Sequence, residues 1–382
     1  MDSIIRPIHL SLQAMKKFSL FFFLSFSLVA TAQDRVESID SIFTSLYAGN
    51  KFNGNVLIAE KGKVLYKKSF GLANESTGEQ LTENSVFELA SVSKQFTAMG
   101  IVLLHRQGKI KYDDMLFKYI PELSMYPKVT IRQMLNHTSG LPDYESLMDS
   151  LYDKKSIATN QTIIDMLIKH HPPLLFESGT KWEYSNTAFA LLATIIERLS
   201  GKSYPDFLRK EIFQPLKMNN TLVHTRRYRP KFISHYAFGY LQDSASGKNL
   251  LPDSLEGTRY VIWLDGIVGD GTVNSTVNDL LKWDRALYNE KFISKEETKD
   301  VFDSAASTTR GMKTNYGMGW FLQTDKNCGK LAWHTGGWPG YRTYIERQLE
   351  QDRTIIILQN HNKVVFPIAD IHKFLCGSGV KK

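Results

Sequence analysis

The sequence predicts a mixed α/β (α+β) fold: an antiparallel sheet flanked by helices and interrupted by a mostly helical inserted subdomain. Three observations carry that prediction. Hairpin-forming runs lie near both ends of the chain, and loops with helix-periodic segments fill the middle. Apolar residues make up 42% of 382 positions, enough for one large core or two smaller ones. The same composition excludes a chain disordered throughout, and 25 glycines with 2 cysteines exclude collagen-like and disulfide-framework classes. No run of 18 or more apolar residues is present, which argues against a membrane-spanning helix.

The first 32 residues read as an export signal. Met15-Lys16-Lys17 supplies a positive start, Phe18 to Ala30 a greasy stretch, and Ala30-Thr31-Ala32 small residues one apart. An uncleaved anchor is the alternative. The natural start is Met1 or Met15, and no cysteine stands near the cleavage point to take a lipid. Removing residues 1–32 removes three cations and one anion and leaves a net charge of +6. That charge favours an anionic cell envelope in the periplasm or outside the cell. It does not point to nucleic acid, because the cations are scattered, and Arg226, Arg227, Arg229 and Lys231 read as a solvated loop. Cys328 and Cys376 are able to pair in an oxidising compartment, and the sequence leaves that open. Two cysteines without a histidine cluster do not make a metal site, and no cofactor motif appears.

Beyond the signal the elements follow in order. Val36, Ile39, Ile42, Phe43 and Leu46 predict a helix over 35–47. Two strands, 55–59 and 63–66, are joined by a turn at Lys61-Gly62. Residues 93–106 form a helix that Gly108 stops. Short helices are expected at 130–135 and 161–168, a long one at 186–199 ended by Gly201, and another at 204–213. Residues 273–287 read as helical with Asp279 and Asp284 outward. Strands are expected at 341–346 and 354–358, and a closing helix at 367–375. The α/β part then comprises about 35–108 plus 255–382, and the helical insert about 109–254, within one domain spanning 33–382.

Three local motifs carry chemistry. Ser91-Val92-Ser93-Lys94 places Ser91 and Lys94 one helical turn apart, on one face. A serine hydroxyl becomes a nucleophile when a neighbour takes its proton, and a lysine of lowered pKa is such a neighbour. Serine followed by lysine three positions on also occurs at Ser178 and Lys181, so a capping Ser91 with a solvated Lys94 explains the pattern locally as well. Tyr184-Ser185-Asn186 offers a hydroxyl that relays protons and an amide that both donates and accepts, although Asn186 also suits a helix cap. His334-Thr335-Gly336-Gly337-Trp338-Pro339-Gly340 lets the backbone pass close to a ligand, as would a plain glycine-rich turn. No Gly-x-Ser-x-Gly elbow is present. His105, His170 and His171 read as structural or surface residues.

Together, and in this order, the motifs resemble those of the serine β-lactamase and penicillin-binding protein superfamily, in its class C-like branch of D-alanyl-D-alanine carboxypeptidase, D-aminopeptidase and esterase relatives. The resemblance extends through Phe87 to Thr97, Ile110 to Pro121, Thr130 to Pro142 with its Asn136-His137-Thr138-Ser139-Gly140-Leu141 loop, and Glu177 to Asn186. It continues at Pro215-Leu216, at Asp279-Leu280 with Trp283, through His334 to Gly340 and at Asn360, covering about 38–372. It implies a β-lactamase/transpeptidase-like fold and an acyl-enzyme route. Ser91 would attack a carbonyl, with Lys94 as general base and Tyr184 as proton relay. The oxyanion would rest on the backbone N–H groups of Ser91 and Gly337, Asn186 would hold Lys94 and the substrate amide, and Thr335 would bind substrate.

His334 departs from the lysine that usually opens the third motif. A largely neutral imidazole weakens recognition of a substrate carboxylate but leaves His334 able to hydrogen-bond Tyr184 or the substrate, so β-lactamase action loses ground to an esterase or D-peptidase. Arg342 is the candidate to replace that cation if it faces the cleft. Glu177 stands where many relatives carry proline, which reshapes a loop. Trp182, Trp338 and Tyr341 suggest an apolar acyl or aryl pocket. The expected substrate is an ester, an amide or a peptidoglycan-type peptide. The alternative is a weak or inactive member that binds envelope peptides without turnover.

Overall fold

The structure, a computed structural model, describes residues 33–302, 315–363 and 366–377. The expected export signal lies outside them. A six-stranded sheet is assembled from both ends of the chain. Its strands are β1 (Gly54–Glu60), β2 (Lys63–Phe70), β3 (Phe321–Asp325), β4 (Gly329–Trp338), β5 (Tyr341–Gln348) and β6 (Arg353–Gln359), in the order β3-β4-β5-β6-β1-β2 with every pairing antiparallel. The helices that matter here are α1 (33–48), α2 (Lys94–Arg106), α3 (Tyr144–Leu151), α4 (Asn186–Ser200), α5 (Val277–Ala286) and α6 (Ile368–Cys376).

β1 and β6 are buried along their length because the sheet is covered on both faces. Side chains alternate between faces at period 2. Val56, Ile58, Ile355 and Ile357 therefore join Ile39 and Phe43 of α1 and Ile371 and Leu375 of α6 in one core. Leu57, Ala59, Ile356 and Leu358 face the larger core built on α2 and α4. α2 is buried from Lys94 to Leu104, as expected of a central helix. A Cβ at Gly100 would lie 2.7 Å from the Ile196 side chain, so glycine there lets α2 and α4 pack closely.

The mixed architecture with an antiparallel sheet matches the sequence expectation. Three local readings change. Residues 273–275 form a short strand paired with Phe87–Glu88 and Leu222–Val223, and the helix starts only after Thr276, whose side chain caps it by accepting from Asp279 N. Asp279 and Asp284 are buried rather than outward. Asp279 accepts from Thr221 Oγ1 and from the backbone of Asn220, and Asp284 accepts from Arg347. Arg226 and Arg227 are half-buried and paired with Asp253 rather than solvated, whereas Arg229 and Lys231 are exposed. A disulfide joins Cys328 to Cys376 and ties α6 to the β3–β4 hairpin.

Candidate active site

Ser91 lies in the 3₁₀ turn Ala90–Ser93 that leads into α2. The turn is held from two sides. Leu89 N donates to Val273 O at 2.9 Å and Val273 N to Ser93 Oγ at 3.0 Å, while on the sheet side Thr343 Oγ1 donates to Leu89 O at 2.6 Å. Gly336 of β4 lies against this turn, where a Cβ would come within 2.1 Å of Leu89 O. Ala90 has φ of 48°, in the left-handed region that side chains other than glycine avoid. Such strain persists only where surrounding contacts impose it, and here it immediately precedes Ser91.

Lys94 is completely buried one turn on. Its ammonium donates to Ser91 Oγ at 3.3 Å, Asn186 Oδ1 at 2.8 Å and Asp270 O at 2.8 Å, so all three N–H bonds have acceptors. It also lies 4.8 Å from the centroid of the Tyr184 ring. The structure thus brings Ser91, Lys94, Tyr184 and Asn186 together from segments far apart in the chain. Asn186 is free for this work because Ser185 caps α4, its side chain accepting from Ala188 N at 3.1 Å. The other amide atom of Asn186, Nδ2, donates to Glu145 Oε1 at 2.9 Å. The Tyr184 hydroxyl is buried and has no hydrogen-bond partner among the described residues.

His334 is 1% exposed, and both its ring nitrogens are engaged inside the protein. Nδ1 lies 2.6 Å from Thr335 O, which can only accept, so Nδ1 carries the proton and Nε2 accepts from the Tyr316 hydroxyl at 2.9 Å. Burial, and then the nearby Lys94 charge, lowers its pKa to about 3. His334 is therefore neutral, bonded to Tyr316 rather than to Tyr184, and turned inward instead of offered to substrate. Thr335 contributes its carbonyl to that arrangement. Gly337 lines the same cavity as Ser91. Arg342 pairs across the strands with Gly337, where a Cβ would meet its Nη1 at 2.9 Å, so the guanidinium lies over Gly337. Among the described residues Arg342 forms no ion pair, only a 3.2 Å bond to Tyr341 O.

The cavity beside Ser91, roughly 70 Å³, has a wall of carboxyl groups that motif reading missed: Glu88, Glu145, Asp265 and Asp270. Burial and the neighbouring Asp270 push Glu145 up to about 7. Burial and Asp265 push Glu88 up to about 8. Asp270 is also raised, chiefly by burial, and accepts from the Tyr144 hydroxyl at 2.8 Å. In sequence Glu145 is merely an acid in the first turn of an amphipathic helix, where the helix dipole alone would account for it. Of the expected aromatic residues Trp338 lines the cavity, whereas Trp182 packs against Tyr316 and the Tyr341 hydroxyl donates to Ala237 O.

A nucleophile-bearing turn on a buried helix, a lysine beneath it and a glycine strand beside it define a serine hydrolase of the acyl-enzyme type. The Beta-lactamase family profile matches residues 39–373. The chain belongs to this family. It is 46% identical over 328 residues to penicillin-binding protein 4* of Bacillus subtilis, covering 86% of this chain and 72% of that one. The octameric penicillin-binding protein homologue from Pyrococcus abyssi superposes with a TM-score of 0.74 at 25% identity, over 90% of this chain and 77% of the other. The D-amino acid amidase from Ochrobactrum anthropi complexed with D-phenylalanine gives a TM-score of 0.70 at 25% identity, over 91% and 99%. Among the described residues no helix is long and apolar enough to cross a membrane.

Proposed function

We propose that this serine hydrolase is exported and cleaves amide or peptide bonds of D-amino-acid-containing substrates, with an amino group on the acyl side and, where the substrate is a peptide, a carboxylate on the leaving side. The observation that carries this reading is the division of charge around Ser91. Of the four carboxyl groups in the wall, Asp265 is paired with Arg227, but Glu88, Glu145 and Asp270 form no ion pair among the described residues, whereas Arg342, likewise without an ion pair there, stands over Gly337. An ammonium group relieves the crowding of Glu88 and Glu145, and a guanidinium holds a carboxylate where a neutral His334 does not. Suitable amines are the α-amine of a D-aminoacyl amide or the side-chain amine of a peptidoglycan stem peptide. The D-configuration is supported by the likeness to D-amino acid amidase. The disulfide supports an oxidising compartment.

In this mechanism Ser91 Oγ attacks the scissile carbonyl and its proton passes to the coupled Lys94–Tyr184 pair. The backbone N–H groups of Ser91 and Gly337 receive the oxyanion. The pair returns the proton to the leaving nitrogen as the C–N bond breaks, leaving an ester on Ser91. Water activated by the same pair then hydrolyses that ester and restores the serine hydroxyl. The experiment compares the chain from residue 33 with its Ser91→Ala variant. It measures D-alanine release from peptidoglycan fragments ending in D-Ala-D-Ala and amine release from D-alanine amide, each with free and acetylated substrate amine. Serine-dependent release that acetylation weakens is expected. No release by folded protein overturns the peptidase and amidase reading, and a stable Ser91 adduct without release would assign a binding role.

A further inference from the structure

We infer that His137 is the positioning residue for Tyr184: its imidazole holds the backbone on one side of the tyrosine and lies against the ring, while its own backbone carbonyl holds the other side. The inference rests on the reading of Tyr184 as the proton relay. His137 is fully buried. Its carbonyl accepts from Glu183 N at 2.9 Å, and its Nδ1 accepts from Ser185 N at 3.0 Å. These two bonds bracket Tyr184, whose ring centroid lies 4.4 Å from that of the imidazole at 38°.

The bonding fixes the tautomer. A backbone N–H only donates, so Nδ1 is the bare nitrogen and the ring proton sits on Nε2. Nε2 is buried and has no hydrogen-bond partner among the described residues. A second proton on Nδ1 would break the bond to Ser185. Burial, then the charge of Lys94 and the proximity of His334, hold the imidazole pKa well below its ordinary value. The backbone is also committed to this arrangement, since His137 has φ of 62°. That region is costly for most side chains and least so for Asn, Asp and His.

Around the imidazole the titratable neighbours are Tyr184, Lys94 from α2, His334 from β4, and Tyr316 at 4.4 Å. Tyr316 and His334 are bonded to each other, and His334 is neutral. An uncharged His137 therefore leaves Lys94 the one cation in this group, so proton transfer at Tyr184 responds to Lys94 rather than to a competing imidazolium. What His137 supplies is orientation: it sets the direction of the Tyr184 hydroxyl without adding charge.

The test compares His137→Phe, His137→Asn and Tyr184→Phe with the unaltered protein, using p-nitrophenyl acetate. Phenylalanine keeps a ring but gives Ser185 no acceptor, while asparagine keeps an acceptor near Nδ1 and tolerates positive φ. His137→Phe is expected to lose at least about tenfold in kcat with KM nearly unchanged, and to shift the kcat/KM pH profile, while His137→Asn stays within about threefold. Unchanged kcat and pH profile in folded His137→Phe, with Tyr184→Phe inactive, would reduce His137 to packing. Full activity in Tyr184→Phe would instead sink the relay reading itself. Nitrogen NMR of the unaltered protein is independent of whether any variant folds. It should show the Nε2–H tautomer of His137 from pH 5 to 9, and an Nδ1–H or doubly protonated ring in that range overturns the inference.

Discussion

Asn186 Oδ1 accepts a 2.8 Å hydrogen bond from the Lys94 ammonium across 92 residues of sequence. Through this bond the segment after Tyr184 sets the direction in which Lys94 points beneath Ser91. A hydrogen bond to a charged group contributes about 1.5–3 kcal/mol, so Asn186→Ala should slow Ser91 acylation by roughly 10- to 150-fold. Lys94→Met removes one member of the proposed Lys94–Tyr184 proton-transfer pair and should cost about 10²–10⁴ in kcat. Single-turnover labelling of Ser91 with a chromogenic ester checks both. An Asn186→Ala variant that acylates at the unaltered rate would show that Ser91 and Asp270 suffice to hold Lys94.

Glu145 should make stability depend on pH in a direction opposite to that of a salt-bridged acid. Burial and the neighbouring Asp270 raise its folded pKa to about 7, from an ordinary value of 4.5. Below pH 4.5 it is protonated in both states and adds no pH dependence. Between 4.5 and 7 the unfolded chain releases the proton while the native state keeps it, so stability falls as pH rises. The loss amounts to about 3 kcal/mol by pH 8, at 1.36 kcal/mol per pKa unit. Glu145→Gln should remove its share of that slope, leaving the part due to Glu88 and Asp270, and be the more stable protein at pH 8, with an acceptor for Asn186 retained. Urea unfolding at pH 5 and pH 8 measures it. The same variant should raise KM for an amine-bearing substrate and leave that of its acetylated form unchanged.

Part of the candidate site was legible because it is local. Ser91 and Lys94 share a helical turn, and Tyr184 with Asn186 precedes a long apolar run, so spacing makes them candidates, and the resemblance of the ordered motifs singles them out over plain capping residues. The sheet was legible at both ends for the same reason, through the Lys61-Gly62 turn and the apolar runs of β1 and β6. What the sequence hides depends on partners far away. Asp284 reads as an outward acid on α5 because Arg347, which takes its charge, lies 63 residues on. Glu145 and Glu88 become cavity walls only when α3 and the segment before Ser91 meet. His334 reads as a substrate ligand until Tyr316, 18 residues earlier, is found to occupy its Nε2. The sequence left the cysteine pairing open, since only the fold brings the two within 5.2 Å Cα to Cα.

The disulfide should stabilise the closing helix without serving the chemistry. It closes a loop with a sequence separation of 48, and loop-closure entropy for that length is worth about 4 kcal/mol. The paired Cys328→Ala and Cys376→Ala variant should unfold at lower urea, as should the unaltered protein in reductant, while kcat is retained under folding conditions. A variant with normal stability but no activity would contradict this division.

The Asp284–Arg347 pair should be the most damaging place to leave one charge alone. Nε of Arg347 donates to Asp284 Oδ1 at 2.7 Å, with side-chain exposures of 1% and 0%. The guanidinium is also enclosed by rings, 4.3 Å from the Tyr288 centroid and 5.0 Å from that of Phe302. Taking a buried pair out of water is costly, so the pair as a whole contributes little net stability. Removing one partner leaves the other desolvated, at about 3–5 kcal/mol. Arg347→Met should therefore destabilise the fold by that amount, partly offset because Asp284 keeps its bond to Arg285. The double variant Asp284→Leu, Arg347→Met should lose less than the sum of the single changes. Urea denaturation of all three variants gives the coupling energy, and additive losses would show that the two side chains act through packing instead of charge.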